Sequence, residues 1–157
     1  MLRSVLLLVI VMTTTAIAAA SMSWEQSEPG SYVVTVPPGT RFVVIESLSG
    51  AGGAGGEDCG GDAGSFLMDL PVHFPATRPM PETILVQVGR GGNNWRPDGG
   101  DSSVDVPTIG LFKVYGGRRG GNTTMPLRRG DDVISWGAGG GAGLCGGHGH
   151  VSLRFEQ

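Results

Sequence analysis

The residues best suited to chemistry are two cysteines and three histidines: Cys59, Cys145, His73, His148 and His150. Cys145, His148 and His150, with Cys59 as a fourth ligand, would make a tetrahedral zinc set. Against this, Gly146, Gly147 and Gly149 would leave the ligand loop floppy. Strand alternation also puts His150 on the polar face of the last strand with Ser152 and Arg154. No metal is expected. The rival chemistry is a disulfide between Cys59 and Cys145. They are the only cysteines, they sit in mirrored settings (Asp58-Cys59-Gly60-Gly61 and Leu144-Cys145-Gly146-Gly147), and an even count in an oxidising compartment pairs without leftovers. Free thiols and an intermolecular bridge are the alternatives. Gly99-Gly100-Asp101-Ser102-Ser103-Val104 has the look of a serine nucleophile loop, but no histidine stands in a partner motif. It reads instead as a turn opened by Asp101, with Ser102 and Ser103 bonding the local backbone. Glu57-Asp58 and Asp131-Asp132 lack the ligand spacing of a calcium loop. No catalytic residue and no cofactor are expected.

The compartment comes from the first twenty residues. Arg3 precedes an apolar run, and small residues follow with cleavage patterns ending at Ala18 or Ala20. This is the form of a secretory signal peptide over residues 1–20. A retained membrane anchor and a buried helix are the other readings, and the apolar run falls short of the ~20 residues a spanning helix needs. In a eukaryotic host Asn122-Thr123-Thr124 would be a glycosylation sequon at Asn122. Arg129-Gly130-Asp131 spells a tripeptide read by integrins, but such a triplet arises easily in a chain with 29 Gly.

Past a short linker over residues 21–29, two kinds of text must position any site. Stretches at 31–36, 41–49, 65–70, 83–88, 111–115 and 150–155 are rich in β-branched and aromatic residues and bounded by Gly or Pro, so they read as strands. The turn Pro37-Pro38-Gly39-Thr40 predicts that the first two form an antiparallel hairpin. The second kind is glycine tracts. Gly137, Gly140, Gly143, Gly146 and Gly149 recur every third position, as do Gly50, Gly53 and Gly56, and Gly61 and Gly64. A period of three matches the turn of a polyproline-II-type helix, whose bare glycine face lets backbones approach closely. Flexible loops are the plainer alternative. The expectation is an all-β domain over residues 30–157: an antiparallel sandwich-like scaffold with packed polyglycine-II-type helices. In such a bundle the tracts holding Cys59 and Cys145 could lie side by side.

The order of these pieces resembles the glycine-rich β domain family. SYVVTVPPGTRFVVIESLSG running into AGGAGG is similar to its opening strand, turn, strand and glycine tract. TILVQVGRGG, GGDSSV and GHGHVSLRF resemble its later strand-to-glycine step, its "GG-x-S-S" element and its closing strand. The resemblance covers roughly residues 30–155, nearly all of the chain after the expected signal peptide. It implies a β-scaffold with packed glycine helices whose loops carry recognition. Such domains occur in phage tail-tip adhesins, in surface proteins of cells and large viruses, and in some receptor ectodomains. The tracts here are shorter than in the richest members and carry Glu57, Asp58, Asp62, Arg90, Arg118 and Arg119.

Composition narrows the function. Glycine and proline make up about a quarter of the 157 residues, the edge at which low complexity is suspected. With 11 basic against 14 acidic residues, no basic footprint for nucleic acid exists. The long polar segments at 90–105 and 116–132 hold Asn93, Asn94, Trp95, Arg96, Arg118 and Arg119. A large aromatic beside Asn and Arg on loops suits recognition of a cell-surface glycan or protein. Trp95 could instead cover a hydrophobic sheet edge, and Trp136 beside Val133 and Ile134 reads as packing. The expected function is a secreted or surface-exposed, non-enzymatic recognition or attachment module. The alternative is a structural coat, wall or virion component packing against copies or neighbours.

Overall fold

Period-two alternation of β-branched residues resolves into strands throughout the computed structural model, which describes residues 21–55, 61–75, 77, 80–119, 127–129, 132–134 and 145–157. The described residues are all-β with no helix. The strands are β1 (Met22–Gln26), β2 (Gly30–Thr35), β3 (Phe42–Ser49), β4 (Phe66–His73), β5 (Thr83–Val88), β6 (Ser102–Val106), β7 (Gly110–Val114), β8 (Leu127–Arg129), β9 (Asp132–Ile134) and β10 (His150–Glu156). Two antiparallel four-stranded sheets run β1-β10-β3-β4 and β2-β5-β6-β7, and among the described residues β8 pairs with β9 alone. The expected signal peptide, Cys59, Asn122, Trp136, Gly137, Gly140 and Gly143 lie outside the described residues.

The two large sheets pack face to face, β3 against β6 and β7, and β10 against β5 and β6. Every second side chain points between them. One sheet supplies Val43, Ile45, Leu48, Val72, Val151, Leu153 and Phe155; the other supplies Val34, Val36, Ile84, Val86, Val88, Val104, Val106 and Val114. Each of these buried side chains contributes on the order of 1.5–3 kcal/mol when taken from water.

The expected β2–β3 hairpin does not form. β2 pairs with β5, and β3 lies between β10 and β4 in the opposite sheet. Pro37 and Pro38 carry no N–H, so the rungs nearest the turn cannot close. Val36 N–H donates instead to Glu82 O (2.9 Å) and Arg41 N–H to Glu156 O (2.7 Å). The turn, closed by Thr40 onto Pro37 O with Gly39 at φ +84°, is a corner between sheets. Residues 21–29 are likewise more than a linker. Met22–Gln26 pairs with β10, and Trp24 meets Tyr32 edge-on at 5.9 Å. Residues 102–106 are a strand rather than part of a turn: Ser102, Val104 and Val106 alternate inward, and Ser102 Oγ accepts the distant Gly89 N–H at 2.9 Å. Part of the expected 116–132 loop pairs as strand β8 with β9.

The glycine tract after β3 leaves the sheets by a different pattern of bonds. Successive N–H groups donate in turn to three directions: Gly50 to Ser65 O, Ala51 to Gly100 O, Gly52 to Gly147 O, then Gly53 to Asp62 O and Ala54 to Pro97 O, all between 2.7 and 3.0 Å. Residues three apart thus serve the same neighbour, whereas a sheet would alternate between two. Gly146 and Gly149, also three apart, donate to Gly92 O and Gly89 O at 2.9 Å. The backbones lie so close that an added Cβ at Gly53 would strike the Arg118 carbonyl, and one at Gly64 the Gly50 carbonyl.

Candidate functional site

The glycine rungs lead away from the core to a group of loops. Near the sheets, Gly50 meets Ser65, which in turn bonds Tyr115 O (2.8 Å); farther out, Gly53 meets Asp62, which bonds Arg118 O (2.9 Å). Ala54 N–H holds Pro97 O, and Gly92 N–H holds Gly52 O. Both stems of the loop at 92–97 are therefore fastened to the same tract.

Asn93 sets the shape of that loop. Its side-chain Oδ1 accepts the N–H groups of Trp95 (3.0 Å) and Arg96 (2.9 Å), while its own N–H donates to Arg96 O at 2.7 Å. This is the turn that Asn favours by bonding backbone two residues on. Trp95 at its apex is 93% exposed, flanked by exposed Asn94 and Arg96. The alternative that Trp95 covers a sheet edge is therefore set aside. Asp98 Oδ1 accepts the N–H of Arg119 at 2.9 Å, which fastens the loop at 118–119 beside the Trp95 loop. Of the expected site residues, all six thus come to one end of the molecule: Asn93, Asn94, Trp95 and Arg96 on one loop, Arg118 and Arg119 on its neighbour.

Asp98 was not singled out from sequence; an Asp before Gly-Gly signals a turn, which is the only trace of its role as a tether. Also missed is a shallow groove of about 340 Å³ on the outer face of the β2-β5-β6-β7 sheet, lined by Ser31, Val33, Leu85, Gln87, Asp105 and Leu111. Strand alternation could have found it, since the cross-strand row Val33, Leu85, Asp105, Leu111 faces away from the core.

Asp101 forms an ion pair with Lys113 (2.6 Å) and accepts the Gly116 N–H (3.0 Å). Burial works to raise its pKa, but the Lys113 and Gly116 hydrogen bonds and the Lys113 charge outweigh it and hold the carboxyl below its ordinary value. Lys113 is raised in return by Asp101 and lies 5.2 Å from the Tyr115 ring centre. These contacts brace the end of β7, from which the 118–119 loop departs.

The histidines part company. His148 Nδ1 accepts the Gly91 N–H at 2.9 Å at the base of the Trp95 loop. His150, expected on the polar face of the last strand, is only 1% exposed. The chain at and just past β1 closes over its ring through Glu25 and Ser27. Its Nδ1 is hydrogen-bonded to Ser27 Oγ (3.0 Å), its Nε2 lies 3.6 Å from Glu25, and burial pushes its pKa down to about 4. Cys145 is exposed and in no disulfide among the described residues. No group of three His, Cys, Asp or Glu among those residues could hold a metal ion. Compared with models of protein families and with curated proteins, the chain has no match.

Proposed function

We propose that this chain is a secreted or surface-exposed, non-enzymatic recognition module that binds a cell-surface glycan or protein through the Trp95 loop and its neighbour. The observation that carries this reading is a tryptophan 93% exposed on a loop whose own backbone is fixed by Asn93 and the glycine tract. Exposed aromatic surface on a rigid support gives contact area at little entropic cost. Arg96, Arg118 and Arg119 add hydrogen-bond donors around it.

The proposal includes how the support is built. The glycine rungs are read as packed polyglycine-II-type helices, because their three-residue period equals the residues per turn of that helix. Each residue would lift the chain by roughly 3.1 Å, so the tract holds the loops clear of the sandwich. A cleaved signal peptide over residues 1–20 and a Cys59–Cys145 bridge locking the tracts complete the picture. The motif order that resembles the glycine-rich β domain family supports the same reading.

The test begins with an array of glycans and cell-surface proteins probed with the secreted chain. Any ligand found is then titrated while tryptophan fluorescence is followed. Among the described residues Trp95 is the exposed tryptophan, so a true ligand should shield it from acrylamide and shift its emission to the blue. Ligand binding that leaves quenching and emission untouched would place recognition elsewhere and overturn the proposal.

A further inference from the structure

Strand β2 ends its sheet with nothing hydrogen-bonded beyond it among the described strands. Val36 N–H points back to the β5 side, donating to Glu82 O. Backbone groups alternate along a strand, so Gly30, Tyr32 and Val34 bond toward β5 and Ser31, Val33 and Thr35 present N–H and C=O outward. The segment Gly-Ser-Tyr-Val-Val-Thr holds no charge and no proline, the devices by which edges are usually blunted. The other edges of the two sheets carry such devices: β1 contains Glu25, β4 contains Pro71 and a left-handed Asp69 at φ 51°, and β7 contains Lys113.

We infer that β2 pairs antiparallel with β2 of a second copy of this chain, about a two-fold axis at Val33. The register follows from the outward groups. Val33 lies opposite itself, Ser31 opposite Thr35 of the second copy, and about six main-chain hydrogen bonds close. The side chains agree with it. Val33, 67% exposed, meets its own copy on the outer face, so Val33 and Leu85 of the two copies form one apolar stripe, bounded on each side by Asp105. On the inner face Tyr32 meets Val34 of the second copy. No like charges face each other, whereas a two-fold pairing of β7 would bring Lys113 near its copy. The result is a two-fold dimer with one continuous eight-stranded sheet. The apolar stripe is narrow beside the ~800 Å² per partner of a standard interface, so the dimer dissociates in the micromolar range. This inference is independent of the ligand reading and holds whatever the Trp95 loop binds.

Light scattering on the secreted chain over a concentration series, with amide hydrogen exchange at both extremes, tests it. The expected result is a mass rising toward twice the monomer value, with exchange at Ser31, Val33 and Thr35 slowed only at high concentration. Tyr32 and Val34, already bonded to β5, should not change. Val33→Pro removes an outward N–H and no intrachain bond, and Val33→Lys sets two charges face to face; either should leave a folded monomer. A monomer at every concentration overturns the inference, as does a dimer whose Ser31, Val33 and Thr35 amides exchange unchanged. Dimerisation that survives Val33→Pro overturns it too, and the exchange data decide if that variant fails to fold.

Discussion

Replacing Gly53 with Ala should be far more damaging than an exposed Gly-to-Ala change ordinarily is. The new Cβ would land on the Arg118 carbonyl, with Gly117 O 2.9 Å away. Both obstacles are backbone, so no side chain can swing aside. Relief requires the 117–118 segment to move, and that segment accepts the Asp62 N–H while Gly53 donates to Asp62 O, each at 2.9 Å. Overpacking costs roughly 1–3 kcal/mol, and each weakened hydrogen bond about 0.5–1.5 kcal/mol. Restricting the unfolded chain returns only ~0.4–1 kcal/mol. With two bonds weakened, the net expectation is a loss of about 1–5 kcal/mol, a large part of the roughly 5–15 kcal/mol typical of a domain. Guanidinium unfolding of the purified protein measures it, with Asn94→Ala as a surface control expected within ~0.5 kcal/mol. A Gly53→Ala protein as stable as that control would refute the close-packed tract.

The buried serines should divide by partner. Ser102→Ala leaves the Gly89 N–H without its acceptor and should cost about 1–3 kcal/mol, whereas Ser49→Ala removes a buried hydroxyl that has no partner among the described residues and should be neutral or stabilising in the same unfolding assay. His150 predicts weakening in acid. Its folded pKa is about 4 against ~6.5 unfolded, so the unfolded chain gains a proton first and stability falls as pH drops from about 6.5 to 4, by at most roughly 3 kcal/mol. Glu25 nearby reduces this; His150→Asn should flatten the urea midpoint between pH 7.5 and 4.5, and an unchanged slope would exclude His150 as its source. Peptide mapping without reductant tests the proposed Cys59–Cys145 bridge: a linked peptide is expected, and because such a bridge would close most of the domain into one loop, its reduction should cost about 4–5 kcal/mol. Two alkylatable thiols in protein secreted by its native host would remove the bridge from the account.

Local pattern carried much of this fold and pairing did not. β2, β3, β5, β7 and β10 follow from β-branched runs bounded by Gly and Pro, and the expected strand at 65–70 extends to His73 because Leu70 and Val72 continue the inward row. β1 was obscured because it directly follows the expected signal peptide, and its Met22, Ser23, Glu25 and Gln26 have little strand character without β10 beside them. β6 was hidden by two serines, one of them buried and satisfied by a residue thirteen positions away. Which strands neighbour one another depends on contacts distant in sequence, and two prolines at a corner look the same as two prolines in a hairpin. At the site, Trp95 and the arginines were legible as polar loop residues around an aromatic. Their convergence was not, since it runs through Asp98 and through backbone bonds that only the packed glycines permit. The spacing of three, by contrast, was visible in the letters themselves.

Binding and stability separate in a single variant. Trp95→Ala should lose ligand or cell attachment by at least about tenfold, the ~1.4 kcal/mol or more expected of a hot-spot tryptophan. Its melting temperature should stay within about 2 °C of the unaltered protein, because a side chain 93% exposed supports little of the fold. Attachment that persists at full strength, or a melting temperature that falls by ten degrees, would contradict it.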